Sequence, residues 1–296
     1  AGNHVFCEKM MSYSIEQGKQ MVRKQRDTGL TLQIGHQRRY NPTYLHAINM
    51  VQKENVLGNI TSVRCLWHRN GDWRRPVPPD TDPKLHRLMN WRLYGEYSQG
   101  LMAELCSHQV DIANWFLDAV PTAVSAMGTH GYWTDDREIL DDIEALYEYP
   151  GGVKMVVSSI TQNAYDDYYE QIMGDEGTLV LSHESQGLLF REARAEKLTW
   201  QEFAHKDDKG GVVLDSQATK GAGGAKKDES GESIDMSNES PYYLELHDWA
   251  RCIRENDTPR CNAMAAFESD VACLMANAAQ AQRRFIDLPP EIFEVD

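Results

Sequence analysis

The sequence predicts an α/β unit followed by an α+β unit built on an open, mostly antiparallel sheet with helices on one face. Strand and helix alternate over residues 1–58, the patterning of a parallel sheet. From residue 123 to 191 short segments of period-two alternation follow one another with few helices between, as in an antiparallel sheet. Two long helical segments close the chain, so the division falls at residues 1–58 and 59–296.

The first strand is the apolar run Val5-Phe6-Cys7, ending on the charged pair Glu8-Lys9. Open α/β sheets place ligand-binding groups where strands end. One such unit cannot make a sheet alone, and the opening residues read as the tail of a larger domain. Ser14 with Gln17 forms a capping box, and the helical period then runs to Gly29, a natural stop. Leu30, Leu32 and Ile34 form a second strand ending at Gly35-His36-Gln37-Arg38-Arg39-Tyr40. Asn41-Pro42 opens a further helix that is expected to close near Gly58.

Ile60–Trp67 reads as a strand, residues 69–95 as a Pro-, Arg- and Trp-rich loop, and Gln99–Leu117 as one long helix. Strands are expected at Ala123–Gly128, Ile143–Tyr149, Val153–Ile160, Tyr169–Gly174, Thr178–Leu181 and Leu188–Arg191. Pro150-Gly151-Gly152 supplies a hairpin turn between two of them. Residues 205–240 are rich in Gly, Lys, Asp and Ser and read as a solvated loop; Gly221–Gly224 lacks phosphate-cradle spacing. Helices over Pro241–Glu255 and Ala263–Phe285 finish the chain.

A net charge of −15 disfavours nucleic acid as a partner, because phosphate binding needs a basic surface. No run of about 18 apolar residues suggests a membrane span. The cysteines at 7, 65, 106, 252, 261 and 273 show no metal-ligand spacing and read as reduced thiols. These features fit a cytoplasmic protein, although an export signal upstream of residue 1 is not excluded by them.

Several residues carry chemistry. Glu104 and His108 lie four apart on the long helix, where a carboxylate beside an imidazole holds its tautomer and raises its basicity. Such pairs on soluble helices are more often surface or boundary pairs. Asp111 adds a third polar residue on the His108 side. Lys9 follows an apolar run, which favours partial burial and an altered pKa. Trp91-Arg92 suits a clamp on a planar ligand, or simply a pin for its loop. Arg38-Arg39-Tyr40 falls on the Lys9 edge if the first two strands are parallel neighbours.

The order of these segments resembles the glucose–fructose oxidoreductase / inositol 2-dehydrogenase (Gfo/Idh/MocA) family. Gly2-Asn-His-Val-Phe-Cys-Glu-Lys-Met is similar to its "GKHVxCEKP" segment, and Gly35-His-Gln-Arg-Arg-Tyr-Asn-Pro to its next strand end. Gly58-Asn-Ile-Thr-Ser-Val resembles the entry to its second domain. Trp91-Arg92 with Gly100-Leu-Met-Ala-Glu-Leu-Cys-Ser-His-Gln-Val-Asp resembles "WR…GGGxxxDxxxHxxD", and Gly174-Asp-Glu-Gly-Thr-Leu its "GxxGxL" hairpin. The resemblance runs from residue 1 to about 190 and resumes in the terminal helices.

It implies the end of a Rossmann domain, whose last strands are residues 1–58, followed by a substrate and oligomerisation domain. It implies NAD or NADP as cofactor and a sugar-like or polyol substrate that exchanges a hydride with it. Lys9, His108 and Glu104 would be catalytic, with His108 as acid/base. Glu8, Lys9, Arg39, Trp91 and Arg92 would face the cofactor. It also implies a homo-oligomer through the C-terminal sheet, with Tyr147, Tyr149, Met155 and Val157 forming one face. Three departures stand out: Met10 for the family's Pro, expected trans and loosening Lys9; Glu104 for Asp; and no GxGxxG. The chain is therefore expected to lack most of the dinucleotide site. The alternatives are a non-catalytic sugar-binding or oligomerising scaffold of the same fold, and an NAD-dependent glycosidase.

Overall fold

The computed structural model describes residues 2–200, 205–214 and 239–296. Strand β1 (Val5–Glu8), helix α1 (Ile15–Thr28) and strand β2 (Leu32–Gly35) form a βαβ unit. The strands pair in parallel, Val5 opposite Leu32 through Glu8 opposite Gly35. Ser14 caps α1 by accepting the Gln17 N–H at 3.3 Å, and Gly29 ends it in the left-handed conformation, φ 64°. A 3-10 turn over Gln37–Tyr40 leads into helix α2 (Pro42–Gln52), whose Asn41 cap accepts the Thr43 N–H at 2.9 Å. Helix α2 stops at Gln52 rather than near Gly58, because the chain turns through Asn55, at φ 50°.

Strand β3 (Ile60–His68) begins the large sheet. Helix α3 (Pro83–Met89) lies inside the segment expected to be loop, capped by Asp82, which accepts the Lys84 N–H. The expected long helix is split: a π-turn over Met102–Cys106 precedes helix α4 (Ser107–Leu117). Then come β4 (Ala123–Thr129), β5 (Asp142–Glu148), β6 (Lys154–Ile160), β7 (Tyr168–Gly174), β8 (Gly177–Ser182), β9 (Gln186–Arg191) and β10 (Val212–Val213). Helices α5 (Pro241–Glu255) and α6 (Ala263–Gln282) and strand β11 (Ile286–Asp287) complete the order.

Among the described residues the large sheet has nine strands, in the order β10-β9-β8-β7-β3-β6-β5-β4-β11. Every neighbouring pair is antiparallel except β3 with β6. The presence of β10 corrects the reading of 205–240 as solvated loop. Val212 and Leu214 are buried, and β10 extends the sheet beside β9; residues 215–238 lie outside those described.

Period-two alternation decides which face is core. Ile143, Ala145 and Tyr147 of β5 and Met155 and Val157 of β6 point toward the helices and are buried. The Tyr147 hydroxyl donates to the Ala272 carbonyl of α6 at 3.1 Å, and Tyr149 donates to Asn114 Oδ1 of α4 at 2.8 Å. Tyr147, Tyr149, Met155 and Val157 are therefore core rather than an association face. The opposite phase is the open one: Met127, Leu146 and Val156 are 78%, 45% and 42% exposed.

Helix α6 ties the two sheets together, packing on α1 and β2 as well as on α4 and β4. Just before it, the Cys261 carbonyl accepts the Ile34 N–H of β2 at 3.0 Å. Gly18 of α1 permits the close approach: a Cβ there would lie 2.7 Å from the Phe267 ring of α6. On its other edge β1 has no strand partner among the described residues, and Val5 is 46% exposed. Among the described residues no helix is long and apolar enough to cross a membrane.

The two phases of β6 should respond differently to mutation. Met155→Ala is expected to cost about 2–5 kcal/mol by leaving a cavity, whereas Val156→Thr on the open face should stay within about 0.5 kcal/mol. Urea unfolding of both variants checks the assignment of faces.

Candidate active site

Lys9 leaves the end of β1 and reaches across to the large sheet. Its Nζ donates to the Ala103 carbonyl at 3.0 Å and to the Glu104 carbonyl at 2.6 Å. Both acceptors belong to the π-turn, where the i→i+4 ladder is interrupted and carbonyls become free to serve a side chain. The Lys9–Met10 peptide is cis, not trans as expected, and Lys9 is held rather than loosened. An ammonium has three N–H donors, so two are committed here and one is left. Burial lowers the Lys9 pKa, and the Glu104 charge opposes that shift.

His108 stands at the start of α4, over the inward face of β3, with its ring centroid 5.3 Å from that of Trp67. Its Nδ1 is buried without a hydrogen-bond partner. Burial first, then the charges of Lys9 and Arg38, hold its pKa well below 6.5. The imidazole is therefore neutral at neutral pH.

Glu104 does not pair with His108, which corrects the expected carboxylate–imidazole dyad. The π-turn widens the helix so that residues four apart no longer share a face. Glu104 Oε2 instead accepts Arg92 Nε at 2.9 Å, and Oε1 accepts the Ser98 hydroxyl at 3.3 Å. Arg92 in turn lies over the Trp91 ring, 4.4 Å from its centroid. The Trp91-Arg92 turn is thus pinned above the π-turn, and Glu8 stays exposed at the end of β1.

Arg39 is not free to meet a ligand. It is buried, holds both Asp111 oxygens at 2.9 Å, and lies 5.3 Å over the Trp115 ring. Ser269 of α6 donates to the same carboxylate at 3.1 Å. A buried Arg–carboxylate pair of this kind locks elements together. The Arg39 charge holds the Asp111 pKa down against the effect of burial.

The sequence reading missed three neighbours, His36, Tyr44 and Glu170, and placed Arg38 on the Lys9 edge without its partners. His36, one residue past β2, lies 6.0 Å ring to ring from His108, with Nδ1 3.6 Å from Asp111. Burial brings its pKa down to about 4. Arg38 is buried against Glu170 and accepts no water-exposed role; its Nε donates to Glu184 at 2.9 Å. The Tyr44 hydroxyl donates to the other Glu170 oxygen at 2.6 Å. Glu170 had a readable signal, as the lone acid in the apolar phase Tyr168, Glu170, Ile172 of β7.

A family profile described as the GFO/IDH/MocA C-terminal domain matches residues 44–180, which hold most of α2, β3, the π-turn, His108 and β7. Residues 44–180 are thus similar to the C-terminal domain of the Gfo/Idh/MocA family. Among similar proteins, the "Uncharacterized oxidoreductase YrbE" of Bacillus subtilis is 25% identical over 60% of this chain and 48% of its own length. The scyllo-inositol 2-dehydrogenase (NAD(+)) of the same organism is 22% identical over 61% of the chain and 48% of its own length. The chain thus spans about half the length of these curated relatives. Among solved structures, a levoglucosan dehydrogenase in complex with NADH superposes with TM-score 0.73 at 17% identity, covering 97% of this chain and 74% of the other. That likeness is one of fold.

One buried group gives a stability test near the β1 and β2 ends. Glu245 of α5 is buried, with Oε2 unpartnered, and its pKa is pushed up to about 8 by burial, then by the charges of Glu8 and Glu184. Its folded pKa exceeds the unfolded value, so the folded state binds the proton more tightly. The associated stability is full at pH below about 4.3 and is lost as pH rises toward 8. Thermal melts across that window should decline for the native chain, and Glu245→Gln should flatten the decline.

Proposed function

We propose that the chain supplies the substrate side of an NAD(P)-dependent oxidoreductase that exchanges a hydride with a hydroxyl or carbonyl carbon of a sugar or polyol. Support comes from the scyllo-inositol and levoglucosan dehydrogenases among its relatives and structural neighbours. The observation that carries the reading is the pairing of a Lys9 ammonium that has one uncommitted donor with a neutral, unpartnered His108.

The parallel β1–β2 edge, with Glu8 exposed and Lys9 at the strand end, suits the reactive end of a nicotinamide cofactor. Among the described residues no glycine-rich turn joins a strand to a helix, so these residues offer no cradle for the pyrophosphate. Bound nicotinamide supplies hydride acceptance or donation. In this reading residues 1–58 belong to the nucleotide-binding part and 59–296 to the substrate part.

His108 takes the proton from the substrate hydroxyl, as a neutral imidazole can. The third N–H of Lys9 donates to that oxygen and stabilises charge developing on it. Glu104 serves through position: its backbone carbonyl fixes Lys9 and its carboxylate fixes Arg92. Arg92 and Trp91 then wall the site beside the cofactor end. The open strip of Met127, Leu146 and Val156 is where copies of the chain would associate through the C-terminal sheet.

The test is nicotinamide reduction with a panel of polyols and sugars. His108→Gln should lower kcat by about 10²–10⁴-fold; unchanged turnover removes the acid/base role. The low pKa of His108 adds a second expectation: the rate should persist as pH falls through 6.5, where an ordinary imidazole would become charged and lose its capacity as a base.

A further inference from the structure

Arg69 is the next inward-phase residue after Trp67 on β3, just past the strand end at His68. Its backbone is anchored, the N–H donating to the Ile160 carbonyl at 2.8 Å. Its guanidinium lies 5.1 Å from the centroid of the Trp67 ring, and that ring lies 5.3 Å from the His108 ring. The cation is therefore placed one aromatic ring away from the proposed acid/base.

The surrounding carboxylates are already engaged. Glu170 and Glu184 face Arg38, Asp111 faces Arg39, Glu104 faces Arg92, and Asp167 faces His183 at 3.3 Å. Arg69 itself forms no ion pair or side-chain hydrogen bond among the described residues, and its side chain is exposed. Lys9 donates its hydrogen bonds to backbone carbonyls and forms no ion pair among the described residues. Two cations without carboxylate partners thus flank His108 in a chain whose net charge is −15. Arg69 and Lys9 both also contribute to keeping His108 unprotonated.

We propose that Arg69 is a specificity-determining residue that binds a carboxylate or phosphate group on the substrate, so that the site selects an anionic sugar. The planar guanidinium suits either group, since both present two oxygens to its fork. Stacking on Trp67 limits the conformations of the side chain and so reduces the ordering needed on binding. The proposal rests on the placing of the substrate site at His108, but it is tested by binding alone.

The experiment is calorimetric titration of the full chain with glucose, glucuronate and glucose 6-phosphate, for the native protein and for Arg69→Gln. One or both anions should bind at least about tenfold more tightly than glucose, and Arg69→Gln should erase that preference while leaving glucose within about twofold. Preference for glucuronate identifies a carboxylate, and preference for glucose 6-phosphate a phosphate. Arg69→Lys should retain part of the preference, and equal melting temperatures show that the variants fold. Equal affinity for all three compounds, failure of both anions to bind, or a preference that survives Arg69→Gln overturns the proposal. Failure of hydride transfer with binding preference intact would instead count against the oxidoreductase reading.

Discussion

The Lys9 ammonium, held by the carbonyls of Ala103 and Glu104, is the contact through which the small parallel pair reaches the π-turn beside the large sheet. A lysine at a strand end is ordinarily solvated, and burial disfavours its charge. Here the loss of water is offset by two backbone dipoles that the interrupted helix presents. The same interruption turns the Glu104 carboxylate toward Arg92 and leaves His108 without a side-chain hydrogen bond at Nδ1. One irregular turn thus sets the lysine, the loop above it and the electrostatic state of the imidazole.

Beneath that contact lies a layer of buried ion pairs. Asp111 gathers Arg39, Ser269 and the nearby His36, joining the end of β2 to α4 and α6. Arg38 joins the same strand end to Glu170 of β7 and to Glu184. Buried pairs seldom add net stability over an apolar packing, but removing one partner leaves an uncompensated charge. Their effect here is to fix how the β2 end meets the sheet that carries Trp67 and His108. They also consume the carboxylates that would otherwise neutralise the cations around the site.

Much of the fold was legible. Ser14, Gly29 and Asn41-Pro42 act locally, through caps and backbone conformation, and they bound the helices as expected. Alternation located the strands within a residue or two, because burial of one face imposes it. The misses are equally physical. Asp82-Pro83 capped a helix in a segment whose Pro and Arg content suggested only loop. The short strand at Val212–Val213 depends on β9 beside it, a partner distant in sequence.

For the site, the sequence alone determined the residue types and their order: Lys9 at a strand end, Trp91-Arg92 in a turn, and Glu104 four residues before His108. Those follow from local pattern and from the family's motifs. Tertiary structure decided which of them meet. Arg39 and Arg38 are adjacent in sequence, yet each is claimed by a different buried carboxylate, Asp111 on α4 and Glu170 on β7. Tyr147 and Leu146 are both apolar, yet only the helices packed on one face make the first core and leave the second open. Such choices rest on desolvation and on partners far away along the chain, and a linear pattern records neither.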